Sequence, residues 1–186
     1  YLMFCSHFAA TAQRPDVVVF LSDDHGQLDS TPYGAVDVRT PNMQQLANEG
    51  MLLTHAFIAS PACAPSRAAM LTGLMPARNG AEANHAYARP DITSLPEIVR
   101  KLGYETVAFG KVAHGKQDVA RHGFDTFDAQ HDASFVENFL VNRDLSKPLC
   151  MFVGTHEPHV PWPDLEGYDP DQIKLPPTFV DTPVTR

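Results

Sequence analysis

The chain has 186 residues, enough to bury one sizeable core as a single domain. Its net charge of -8 argues against a nucleic-acid partner, which would need clustered Lys and Arg. A small anionic substrate stays open, since screening over about 8 Å lets a few pocket cations outweigh a distant acidic surface.

A hydrophobic share of 44% fits a globular class, and 16 prolines point to long structured loops rather than a helical bundle. In chain order, residues 2–10 (LMFCSHFAA) read as the end of a signal-peptide apolar region, and Ala10-Thr11-Ala12 fits a small-residue cleavage site. Residues 1–12 are therefore expected to be the end of an export signal, which predicts a secreted or periplasmic protein. That segment is too short to span a bilayer, and no other run is long enough. Asp16 to Ser22 is a continuous apolar run, β-branched at its centre, that suits a parallel strand buried on both faces. It ends in Asp23-Asp24-His25-Gly26.

Thr40 caps a helix predicted over Pro41 to Asn48, and Met51 to Ile58 reads as a second strand. A helix over Ser66 to Leu71 follows Cys63. Ser94 caps another, Leu95 to Leu102, with Pro96 early and Gly103 as its stop. Tyr104 to Phe109 and Leu149 to Gly154 read as strands, and Ser134 to Val141 carries helical spacing. Strands alternating with helices predict an α/β fold, a mostly parallel sheet with helices on both faces. From Pro158 onward the chain is proline-rich and reads as an extended covering loop. Ligands of such sheets gather beyond the carboxyl ends of the strands.

The chemistry-bearing residues fall at those ends. Two adjacent carboxylates repel unless a cation or a proton relieves them, so Asp23-Asp24 is either a solvated turn or a hard-cation site. Lys111 and His114 follow the Tyr104 to Phe109 strand, and His156 and His159 follow the last one. Alone, each pair also reads as surface residues or, for the histidines, as half of a zinc site that lacks cysteine partners. Three cysteines make no disulfide framework: Cys5 belongs to the export segment, and Cys150 reads as a buried, inert packing residue. Cys63 is either a buried thiol opening a helix or a residue reserved for chemistry.

The run Cys63-Ala64-Pro65-Ser66-Arg67 with Leu71-Thr72-Gly73 resembles the maturation motif of the type I sulfatases, in the alkaline phosphatase superfamily. Pro15 to Gly26, Thr40-Pro41-Asn42, Gly110-Lys111 and Pro158-His159-Val160-Pro161 follow in that family's order. Gly-Lys-Val-x-His is similar to iduronate-2-sulfatase, whereas Asn79-Gly80 with His85 looks like heparan N-sulfatase. The resemblance implies an alkaline-phosphatase-like fold, incomplete at its C-terminus, with residues 13–186 as the N-terminal part of the catalytic domain. It implies that a maturase oxidises Cys63 to formylglycine, and that Asp23, Asp24 and residue 63 hold Ca²⁺, with Mg²⁺ possible. Arg67 and Lys111 would hold the nucleophile and the sulfate, His114 would take the hydrate proton, and His159 would serve the leaving group.

His85 and His156 would contact a sulfated sugar. His25 reads as a loop histidine, and Trp162 as a mouth residue or a packing anchor. The family's second metal pair and further Lys have no counterpart after Pro161, so this stretch alone is expected to be inactive. A phosphonate or phosphate ester hydrolase of the same superfamily, and a non-catalytic degenerate sulfatase fold, are the alternatives. The oligomeric state is left open.

Overall fold

The computed structural model describes residues 14–130, 133–162, 169–172, 174–175 and 178–184. The expected export segment, 1–12, lies outside the described residues.

Four short strands form an all-parallel sheet: β1 (Val17–Leu21), β2 (Glu105–Gly110), β3 (Thr126–Asp128) and β4 (Leu149–Gly154), in the spatial order β1-β4-β2-β3. The last strand thus inserts between the first two. Val107 and Ala108 of β2 stand opposite Met151 and Phe152 of β4, and Val19 of β1 stands opposite Phe152. Because side chains alternate along a strand, this register sorts the core into two faces.

On one face Ala108, Cys150, Phe152, Val19 and Leu21 meet Leu71 of helix α2 (Cys63–Thr72) and Val119 of α5 (Lys116–Arg121). On the other face Val107, Phe109, Leu149 and Met151 meet Val136 and Phe139 of α6 (Ala133–Asn142). Helices therefore cover both faces, as the alternation of elements predicts. Phe109 packs edge-on against Phe135 and Phe139, with ring centroids 5.4 and 5.6 Å apart. Cys150 is buried, and burial alone pushes its thiol pKa up, in keeping with an inert packing residue.

Local sequence sets the helix ends. In α4 (Leu95–Lys101), Ser94 and Glu97 form a reciprocal capping box and Pro96 sits in the first turn. Helix α2 stops at Gly73, whose φ of 67° suits a residue without a Cβ. Helix α1 (Pro41–Glu49) starts on Pro41, and α3 (Pro76–Asn79) is a single turn.

Two expectations are corrected. Met51 to Ile58 is not a strand: it pairs with no other segment, and Leu53, Phe57 and Ile58 are exposed. Its polar centre, Thr54-His55, interrupts the apolar run. Strand β1 is not buried on both faces either, since Val18 and Phe20 lie on the α6 side at the sheet edge, beyond the strands that α6 covers. Helix α2 also begins earlier than predicted, at Cys63 itself. No described helix is long and apolar enough to cross a membrane.

Candidate active site

The carboxyl ends of β1, β4 and β2 lie side by side, and backbone hydrogen bonds lace their loops together. The Thr155 N–H donates to Leu21 O at 2.8 Å, Asp23 N–H to Glu157 O at 3.2 Å, and Lys111 N–H to Gly154 O at 2.9 Å. Gly154 is needed for this closeness, because a Cβ there would run into the Lys111 carbonyl. Asp23 and Lys111, 88 positions apart, thereby become neighbours.

Asp23 is buried and sits between two cations. Arg67 Nη2 donates to its Oδ1 at 2.9 Å, and Lys111 Nζ donates to its Oδ2. Burial works to raise its pKa, but the hydrogen bonds and charges of Lys111 and Arg67 outweigh that and lower it. The same guanidinium donates to the carbonyls of Lys111 and, at 3.5 Å, Val112. Arg67 thus ties helix α2 to the loops after β1 and β2 through one planar fork.

Asp24 takes the left-handed region with φ 57°, its carboxylate is more than half exposed, and it lies outside the group that Asp23, Cys63 and His159 form. Its Oδ2 lies 3.6 Å from His159 Nε2. The Nδ1 of His159 is 2.6 Å from the carbonyl of Val160, which can only accept, so Nδ1 carries a proton and Nε2 is the nitrogen left to face the site. Ligand atoms of Asp23, Cys63 and His159 all lie within 4.8 Å of one another. Cys63 is half-buried in the first turn of α2 and opens onto a cleft of about 720 Å³, which Asp23, Asp24 and Ser66 also line.

A divalent ion fits this donor set. Both Asp23 oxygens keep lone pairs beyond the bonds they accept, and Asp24 adds two exposed oxygens. With a thiol at residue 63 the set would suit a borderline-soft metal, and with an oxygen there it suits a hard one.

His114 and His85 meet on the other side of Lys111, with His85 Nδ1 and His114 Nε2 2.5 Å apart. The His114 backbone N–H donates to Asp118 Oδ2 at 2.9 Å. Burial, then the charges of His85 and Lys111, push the His114 pKa down against the pull of Asp118. His156 packs edge-on against His159, with centroids 4.7 Å apart. His25 is held by Asp29 O and Ser30 Oγ at 2.9 and 3.1 Å, as a loop histidine would be. Trp162 is exposed and donates to Pro158 O at 2.6 Å.

Sequence reasoning overlooked Asp118 and His122, a buried pair with 3.5 Å between carboxylate and ring. The signal was present in the four-residue spacing of Asp118 and His122, which sets them one turn apart on and just after α5.

The sulfatase family model matches residues 15–136. An ulvan-active sulfatase of Formosa agariphila is 35% identical over 180 residues, covering 90% of this chain and 35% of that protein. The N-acetylgalactosamine-6-sulfatase of Rattus norvegicus is 38% identical over 143 residues, 68% of this chain and 27% of that one. Among solved structures, BT4656 in complex with its substrate D-glucosamine-2-N,6-O-disulfate superposes with a TM-score of 0.69 at 28% identity, over 79% of this chain and 35% of that one. The chain spans about a third of the length of the curated relatives it matches. With its strand-end cluster and its matched motifs, the chain belongs to the sulfatase family.

Proposed function

We propose that the protein hydrolyses sulfuric esters of a sugar, or sulfamates, through a formylglycine made from Cys63. The observation that carries this reading is the meeting of Asp23, Cys63 and His159 within 4.8 Å, beside the Lys111 and Arg67 cations. When present, a divalent ion on Asp23, Asp24 and residue 63 would act as a Lewis acid on sulfate, while the hydrated aldehyde would supply the attacking oxygen. Hard carboxylate oxygens favour Ca²⁺, with Mg²⁺ as the second candidate.

Arg67 fixes the loop that carries Lys111 and neutralises Asp23. Lys111, a compact cation, holds a sulfate oxygen and the nucleophile in line. His114, kept neutral by burial and neighbouring cations, is ready to accept the hydrate proton. His159, with Nδ1 fixed by Val160, turns Nε2 toward the departing oxygen or nitrogen and, having taken up a second proton there from solvent, passes it to the leaving group. His156 and His85 contribute to the sugar-facing rim. The sulfated sugars named for the related proteins support an oligosaccharide sulfate as substrate class. A formylglycine-generating maturase is the implied partner, and the apolar composition of residues 2–10 supports a secreted or periplasmic location.

The test is the mass of the tryptic peptide Thr40 to Arg67 from the native host, paired with turnover of aryl sulfates against aryl phosphonates by the full-length protein. An aldehyde or hydrate at residue 63 and a preference for sulfates are expected. An alkylatable thiol from a maturase-competent host would overturn the proposal, and a preference for phosphonates would move the function to the phosphonate hydrolases.

A further inference from the structure

A proton accepted by His114 needs a way out, because the groups around it disfavour a lasting positive charge there. Lys111, Arg67 and His85 face it as cationic or potentially cationic groups, and Asp118 alone opposes them. Its Nδ1 is buried and has no hydrogen-bond partner among the described residues. Its Nε2 lies 2.5 Å from His85 Nδ1, with the two rings edge-on and their centroids 4.5 Å apart. Two facing nitrogens at that distance share one proton, since two N–H groups would collide and two lone pairs would repel.

His85 is exposed, and its backbone takes φ 68°, an uncommon conformation for a residue with a Cβ. The Asn84 carboxamide oxygen accepts the N–H of His85 at 3.2 Å and that of Ala64, next to Cys63, at 3.4 Å. A strained residue is thus tied to the start of α2 with its ring against His114.

We propose that His85 is a proton relay that carries the proton taken up by His114 out to solvent. Neutral His114 holds its proton on Nε2, donated to His85 Nδ1, and keeps its Nδ1 lone pair open. A proton arriving on Nδ1 releases the Nε2 proton to His85 Nδ1, and His85 gives its own Nε2 proton to water. One proton enters and one leaves, with no change of oxidation state. His85 acts through His114 and touches no reacting atom, so it is a positioning residue. This inference rests on the reading of His114 as the base of the proposed reaction.

The experiment compares full-length matured protein with His85→Ala and His85→Gln. At low buffer concentration kcat falls by about a hundredfold in both, whatever the change in KM. Added imidazole restores His85→Ala in a saturable way. Unchanged kcat, a loss confined to KM, or a loss that no buffer restores would each overturn the relay. A second readout needs no turnover: with ¹⁵N-labelled histidine, exchange of the His114 ring proton with water slows in His85→Gln, which fills the space without passing a proton. An unchanged exchange rate would overturn the relay. If the wild type hydrolyses no sulfate ester, the functional reading fails, and the exchange rate still decides for or against the relay.

Discussion

Asp118 shows how one buried side chain governs the site without touching it. Its carboxylate accepts the N–H of His114, in the loop before α5, and faces His122 one turn further on. Burial works to raise its pKa, while the contacts to His122 and the His114 backbone outweigh that and lower it. A carboxylate lowered in the folded state adds stability that is present above its ordinary value of about 3.9 and is lost as pH falls through the folded value. In Asp118→Asn, an amide oxygen still accepts the His114 N–H but the charge opposite His122 is gone. Urea unfolding should then show a loss of about 1–3 kcal/mol at pH 7, with a shallower decline of stability below about pH 4 than the wild type. An acid limb identical to the wild type would remove Asp118 from the account. Residues of this kind are hard to read from sequence, because a buried aspartate and a solvated one have the same letter.

Among the elements, α4 and the β2–β4 pair give the sharpest expectations. Ser94 caps α4, and its hydroxyl also lies 2.6 Å from the His122 carbonyl, so one small side chain serves two elements. Ser94→Ala should cost about 2 kcal/mol, the sum of a lost cap and a buried carbonyl left without its donor, read as a shift in the unfolding midpoint. Gly154→Ala would force β4 away from the Lys111 carbonyl and carry Lys111 off Asp23. Turnover should fall far more than stability, measured as kcat beside the unfolding free energy. Helices α1, α2, α4 and α6 and the longer strands were legible because caps, early prolines and apolar runs act locally, as at Ser94 with Gly103, Pro41, and the run from Leu149 to Gly154, whereas the short α3 and α5 were missed. Thr126–Asp128 escaped because three residues carry no periodicity and its pairing with β2 comes from tertiary context. Met51 to Ile58 misled because apolar composition without a partner strand reads the same as composition with one. The site's order along the chain was readable, whereas the left-handed backbone at Asp24 has no letter of its own.

For the molecule as a whole, the parallel sheet brings three loops to one edge, and Arg67 ties those after β1 and β2 to the helix that begins at Cys63. That tie has a consequence in time rather than space. Cys63 is partly open, but Ala64, Pro65 and Arg67, which flank it in the motif, are buried and helical. An enzyme that must hold this run of side chains in order to oxidise the thiol finds none of the run on offer once the domain has closed. On the proposed maturation, conversion of Cys63 would therefore have to precede folding. Folded thiol-form protein given a maturase should stay unconverted, while the same chain presented unfolded should gain the aldehyde, as read by the mass of the peptide from Thr40 to Arg67. If Cys63 is matured as proposed, a copy that folds first would keep its thiol for as long as it stays folded, and the matured share would be set by which event comes first.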